Sequence, residues 1–83
     1  MMVLAQTGQN VKAIEQGRRL IALDPQAFDA RFNLGILLAA QHKYAEAVAQ
    51  LREAQRIRPD DPRPGQQIAN IEALQKNTNR GRR

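Results

Sequence analysis

The feature of this sequence that most constrains its fold is an internal repeat, marked first by two prolines. Pro25 and Pro59 lie one period apart, and each follows a stretch in which apolar residues recur with helical spacing. At the same offset, identical residues recur in four pairs: Ala5 and Ala39, Ala13 and Ala47, Gln16 and Gln50, and Arg18 and Arg52. A fixed period of this length is typical of repeat proteins, in which each unit packs against its neighbours.

The spacing of apolar residues divides each period into two helices. After Pro25, apolar residues recur at steps of three and four, which predicts a helix over residues 26–40. Residues 41–43 form the predicted break, where His42 is suited to a left-handed backbone conformation. The second helix is predicted over residues 44–57.

The same pattern predicts the elements on either side of this unit. Thr7-Gly8-Gln9 lies one period before the first break, so we expect a helix break there and a helix over residues 10–23. Asp61-Pro62 repeats the start signal of Asp24-Pro25, which predicts a further helix that ends near Lys76.

Length and composition exclude several classes of protein. The chain has 83 residues, no cysteine and one histidine, so it offers neither a disulfide framework nor the usual zinc ligands. Its longest apolar stretch is far shorter than the roughly 20 residues that span a bilayer. We therefore expect no enzyme, no cofactor and no membrane span. The N-terminus lacks the basic start of a signal peptide, so the expected location is cytoplasmic.

The positive charge of the chain is concentrated at its C-terminus. The net charge is +5, and the last four residues contain Arg80, Arg82 and Arg83. Residues 77–83 contain no apolar side chain, which predicts a disordered basic tail after a domain that covers residues 1–76. This tail carries the alternative hypothesis for function, a nucleic-acid-associated basic protein, although nucleic acid is the less favoured partner.

Residues 28–61 resemble a tetratricopeptide repeat, a family whose period equals the offset between the two prolines and whose signature is W-x2-L-G-x2-Y, A-x3-F and P. The matching residues are Arg31, Leu34, Gly35, Leu38, Ala47, Leu51, Ala54 and Pro59. Arg31 departs from the tryptophan of the signature, and leucines stand at both later aromatic positions. Gly35 and Ala47 are small enough to let the two helices of the unit approach closely.

The resemblance implies an all-α fold, a right-handed α-solenoid of antiparallel helix pairs. Residues 2–27 correspond to a partial first repeat and 28–61 to a complete repeat, with 62–76 as a C-terminal capping helix. In the first of these, Gly17 and Leu20 depart from the pattern of the family. About two repeats and a cap are therefore expected.

The resemblance also implies a non-catalytic adaptor or scaffold whose concave face, lined by the first helix of each pair, binds a peptide or a partner helix. The residues expected on that face are Phe32, Asn33, Ile36, Ala40, Arg63, Gln67 and Asn70. Asn33 and Arg63 stand at positions that clamp a peptide carboxylate in one subclass of the family, but Gln67 replaces the basic residue expected next. The identity of the protein or peptide partner is left open.

A truncated first repeat leads to a further expectation, self-association. The second helix of that repeat would lack part of the first helix that normally packs against it, so apolar side chains of the N-terminal half would be open to solvent. The residues expected there are Met2, Val3, Leu4, Ile14 and Ile21. A homodimer formed through this half of the chain is the predicted result, either as a two-fold contact or by exchange of a helix.

Overall fold

The computed structural model describes the backbone of residues 2–81 and the side chains of residues 8–76. The described chain consists of four helices and contains no strand. In chain order these helices are α1 (Met2–Leu23), α2 (Phe28–Ala40), α3 (Tyr44–Ile57) and α4 (Arg63–Gly81). The predicted all-α architecture is confirmed.

The central pair, α2 and α3, forms close to where the apolar spacing predicts it. The bounds of α3 agree with the prediction, whereas α2 begins at Phe28, two residues later than expected. The reason is a turn before the helix, in which the Asp24 carboxylate accepts a hydrogen bond from Gln26 N at 3.1 Å and the Asp24 carbonyl accepts one from Ala27 N at 3.1 Å. Asp24 therefore stabilises the turn instead of capping the helix.

The break between α2 and α3 depends on His42. Its φ of 63° places it in the left-handed region, as predicted. Its Nδ1 lies 2.8 Å from the hydroxyl oxygen of Tyr44, and Lys43 N donates to the carbonyl of Leu38 at 2.9 Å. The backbone thus reverses within a short turn, which allows α3 to pack antiparallel against α2.

The predicted break at Thr7-Gly8-Gln9 is wrong. The helix α1 runs without interruption from Met2 to Leu23 and includes Gly8. Gly8 has no positive φ, and a Cβ built on it would meet no atom within 4 Å. Neither backbone geometry nor close packing requires a glycine here, and no proline follows to stop the helix, so α1 continues through it.

The helix α4 also extends beyond its predicted end. It finishes at Gly81 and not near Lys76, because no proline or glycine intervenes to stop it. The side chains of residues 77–81 and all of residues 82 and 83 lie outside the described residues. The prediction of a disordered tail from residue 77 is wrong for the backbone of residues 77–81, which is helical, and residues 82 and 83 of that tail are not described.

The core lies where consecutive helices meet. The helix α2 packs between α1 and α3. The helix α4 packs against α3 and makes a smaller contact with α2. The buried apolar residues that form one cluster are Ile14, Leu34, Leu38, Ala47, Leu51, Ile68 and Ile71. Each helix contributes to this cluster, so the stack holds together through contacts between successive helices.

The closest approach within the pair is at Gly35. A Cβ added there would lie 2.6 Å from Cγ of Leu51 and 3.2 Å from the carbonyl oxygen of Ala47. Leu51 and Ala47 are themselves fully buried. The expectation that Gly35 and Ala47 permit close packing of two helices is confirmed.

Arg31, at the tryptophan position of the signature, takes a polar role in the same interface. Its Nε donates to the carbonyl of Pro25 at 2.8 Å, and its Nη1 donates to Oε1 of Gln50 at 2.9 Å. One guanidinium therefore joins α2 both to the turn before it and to α3.

Candidate partner-binding face

The two helices expected to line a binding face, α2 and α4, make a small direct contact with each other. They are equivalent elements of successive units, so residues one period apart occupy matching places on them. Asn33 matches Gln67, and Ile36 matches Asn70. A face shared by these four residues stays a prediction.

The structure exposes the predicted residues of this face to different extents. Asn33, Ala40 and Asn70 are exposed, whereas Ile36 and Gln67 are half-buried. The exposed residues are the ones that an approaching partner could contact first.

Phe32 is also half-buried, and its ring is fixed by its neighbours. It stacks on Phe28 with ring centroids 6.0 Å apart and planes inclined by 6°. The guanidinium carbon of Arg63 lies 5.0 Å from the Phe32 centroid and 5.6 Å from the Phe28 centroid. Such contacts attract a cation to the faces of aromatic rings. Phe32 is therefore held in place at the junction of α2 and α4.

Arg63 is engaged with Asp61 as well as with the two rings. Its Nη2 lies 2.9 Å from Asp61 Oδ2 and its Nε 3.1 Å from Oδ1, while the Arg63 backbone N–H donates to Oδ1 at 3.0 Å. These hydrogen bonds lower the pKa of Asp61 from 3.8 to about 2 and raise the pKa of Arg63. Asp61 already neutralises this guanidinium, which argues against Arg63 as a clamp for a peptide carboxylate.

Sequence reasoning did not single out Arg58, which follows α3. Its guanidinium carbon lies 4.7 Å from the centroid of Phe28. Together with Arg63, it lines an open cavity of about 480 Å³ at the connection between α3 and α4, bounded also by Asp60, Asp61 and Pro62. The sequence could not have indicated the contact between Arg58 and Phe28, because Phe28 begins α2 and Arg58 follows the end of α3.

Of the residues predicted for self-association, the structure describes the side chains of Ile14 and Ile21, and both pack in the core. Ile14 is buried in the core and only 8% exposed, so its assignment to an open surface is wrong. The cause is α2, which covers this side of α1 so closely that a Cβ on Gly17 would lie 3.6 Å from Leu34. Ile21 is half-buried against the same core. The side chains of Met2, Val3 and Leu4 lie outside the described residues.

Two negative findings apply to the described part of the chain. No group of three histidine, cysteine, aspartate or glutamate side chains there could hold a metal ion. No helix there has both the length and the apolar character needed to cross a membrane.

Consecutive antiparallel helices, a shared core and a helix pair that recurs at a fixed period define a helical-repeat protein. The sequence profile of the tetratricopeptide repeat family matches residues 2–62. This match covers more than half of the chain, and the protein belongs to the tetratricopeptide repeat family. No curated protein matches the sequence significantly. Repeats of this family are generally modules for protein–protein interaction.

Proposed function

We propose that this chain binds a peptide segment of a protein partner on the face shared by α2 and α4, as a non-catalytic adaptor or scaffold. The proposal rests on the repeat period, which gives α2 and α4 equivalent residues at matching positions. Asn33 and Gln67 occupy equivalent positions, as do Ile36 and Asn70, on helices that touch each other. The proposed face thus combines three amide side chains with one isoleucine.

The chemistry of this face suits a peptide backbone. Asn33 and Asn70 are exposed amides, and each offers both hydrogen-bond donors and an acceptor to a backbone that passes over it. Ile36 and the edge of Phe32 provide apolar area for one side chain of the peptide. The proposed ligand is therefore a neutral segment, extended or helical, with an aliphatic or aromatic anchor.

The charges near this face point to the same class of ligand. Arg63 is paired with Asp61, and Arg58 rests on Phe28 beside Asp60 and Asp61. A strongly acidic peptide would meet these carboxylates, which disfavour it through like-charge repulsion.

The cytoplasmic location expected from the sequence stays a prediction.

The test is a peptide array probed with the full chain, followed by titration of the best-binding peptide. The double variant Asn33→Ala and Asn70→Ala should weaken binding about 30-fold, the equivalent of two hydrogen bonds of about 1 kcal/mol each. Both side chains are exposed, so helicity by circular dichroism should not change.

Arg56→Ala is the matched control, because Arg56 lies on α3 and pairs only at the surface with Glu53. It should bind the peptide as the wild type does. Equal binding by the double variant and the wild type would place the ligand on a different face. Binding that is lost on deletion of residues 77–83 would favour the nucleic-acid-type alternative, in which the basic tail makes the contact.

A further inference from the structure

The connection between α3 and α4 lies beside an aromatic ring that two arginines cover. Phe28 is only 4% exposed, although it is the first residue of α2. The guanidinium carbon of Arg58 lies 4.7 Å from the centroid of this ring, and that of Arg63 lies 5.6 Å from it. Both arginines are exposed, and both line the open cavity at this connection. Phe28 therefore holds two guanidinium groups in place at a surface that a ligand can reach.

The two arginines differ in the hydrogen bonds that they form. The guanidinium of Arg63 is bound to the Asp61 carboxylate, with Nη2 2.9 Å from Oδ2. The side chain of Arg58 forms no hydrogen bond or ion pair with the residues that the structure describes. The same holds, among those residues, for the carboxylate of Asp60, which lines the same cavity. The cavity thus offers a ligand the hydrogen-bond donors of Arg58 and the acceptors of Asp60.

The turn between the helices does not require these two side chains. In the connection between α1 and α2, one period earlier, Asp24 stands at the position of Arg58 and Gln26 at that of Asp60. In both turns the N–H of the fourth residue donates to the carbonyl of the first at 3.1 Å. Because the same backbone turn forms with other side chains, its geometry does not explain why Arg58 and Asp60 are there.

The charges around the cavity restrict the class of ligand. The two positive charges of Arg58 and Arg63 are balanced by the negative charges of Asp60 and Asp61. A phosphate or carboxylate would meet both aspartates, and an amino group would meet both guanidinium groups. The best complement is a neutral group that packs on a guanidinium and both donates and accepts a hydrogen bond. A tyrosine side chain has these properties.

We propose that this cavity binds a tyrosine side chain of the peptide partner, an inference that rests on the peptide binding proposed above. The phenol ring packs against the Arg63 guanidinium, while the hydroxyl donates to Asp60 and accepts from Arg58. Phenylalanine would leave both polar groups without a partner, and the indole N–H of tryptophan would satisfy Asp60 alone. The cavity volume of about 480 Å³ is within the range of sites that enclose small ligands.

Arg63 connects this cavity with the proposed face on α2 and α4. Its guanidinium carbon lies 5.0 Å from the centroid of Phe32, which is one of the predicted face residues. Gln67, another of them, follows Arg63 by one turn of α4. A peptide that lies along the face and passes Arg63 would bring one of its side chains to the cavity. Tyrosine is thus a second anchor, separate from the side chain that packs on Ile36 and Phe32.

The experiment compares matched forms of the peptides that bind on the array. Each peptide is made with tyrosine, phenylalanine, phosphotyrosine or alanine at the same position and is titrated with the full chain by fluorescence anisotropy. The tyrosine form should bind about 10-fold more tightly than the phenylalanine form, as expected for a hydrogen bond to a charged group. The alanine form should bind about 100-fold more weakly than the tyrosine form, because it also loses the ring. The phosphotyrosine form should bind more weakly than the tyrosine form, since its charge meets Asp60 and Asp61.

Asp60→Ala is the variant that tests the role of the hydroxyl group. Asp60 is exposed, so helicity by circular dichroism should not change. The variant should bind the tyrosine and phenylalanine forms about equally. Asp60→Asn is a second variant of the same group should Asp60→Ala lose helicity, and it should also reduce the preference. Gln26→Ala is the matched control, because Gln26 is exposed at the same place in the other connection, and it should keep the preference of the wild type.

The outcomes separate this inference from the proposed function. Equal binding of the tyrosine and phenylalanine forms by the wild type would overturn the tyrosine site but would leave peptide binding on α2 and α4 in place. A preference for tyrosine that persists in the Asp60 variants would locate the side chain elsewhere and would also overturn it. Tighter binding of the phosphotyrosine form would define an anion site instead. A chain that binds no peptide on the array would contradict both proposals.

Discussion

Gly35 and Leu51 are in such close contact that the missing Cβ of the glycine is part of the fold. An atom added at that place would lie 2.6 Å from Leu51 Cγ and 2.9 Å from its Cδ2. Leu51 is fully buried, so it has no free space into which it could move. The distance between α2 and α3 is set at this point.

Gly35→Ala should therefore lower the free energy of unfolding by about 1–3 kcal/mol through overpacking. Gly17→Ala is the matched control, because its Cβ would meet Leu34 at an ordinary 3.6 Å. The control should instead raise stability by about 0.5–1 kcal/mol, since alanine is the better helix former. Urea unfolding followed by circular dichroism measures both. Two changes of the same sign would contradict the helix packing described above.

Arg31→Ala should destabilise the chain by about 1.5–3 kcal/mol, because it removes charge-assisted hydrogen bonds to Pro25 and Gln50. Arg31→Lys should not restore the loss, since an ammonium group cannot reach both acceptors with the geometry of a guanidinium. Thermal unfolding compares the variants with Gln50→Ala, which loses only one of the two bonds. A lysine variant as stable as the wild type would show that charge alone matters at this position.

The Asp61 carboxylate should titrate near pH 2 in the folded chain, because hydrogen bonds from Arg63 favour its ionised form. Its pKa is lower in the folded than in the unfolded chain, so its contribution to stability is present above about pH 4 and is lost as the pH falls towards 2. Carboxyl chemical shifts in a pH titration measure the midpoint. In Arg63→Gln the midpoint should rise towards 3.8, and an unchanged midpoint would contradict the pairing.

His42→Val should lower stability by about 1–2 kcal/mol, because a β-branched side chain is poorly tolerated at a φ of 63°. His42→Asn should change stability much less, since asparagine is among the residues that adopt this conformation readily. The asparagine variant also loses the contact with the Tyr44 hydroxyl, so it measures that contact separately. Equal losses in both variants would assign the effect to the imidazole and not to the backbone.

Most of the helical framework follows from local signals in the sequence. The bounds of α3, the break at His42 and the close approach at Gly35 were predictable, because each depends on residues near one another in the chain or on the phase of the repeat. The phase also indicates that Asn33 and Gln67 share a face.

The errors lie where a local signal was weak and packing decided the outcome. A lone glycine such as Gly8 costs a helix about 1 kcal/mol, which is too little to break α1 when nothing else favours a turn. Ile14 was predicted on an open surface because a truncated first repeat was expected to leave α1 uncovered, whereas Ile14 packs with residues of α2 in the core.

The sequence by itself determined the class of fold and the helix-pair phase, since these depend on apolar spacing and on where proline interrupts it. Only the tertiary structure decided which side chains of each face are available. Asp61 forms an ion pair with Arg63, and the guanidinium of Arg58, which follows α3, lies over the ring of Phe28 at the start of α2. Such pairings depend on distances between side chains in space. The repeat period fixes where the helix backbones lie, but it does not fix which groups the charged side chains contact.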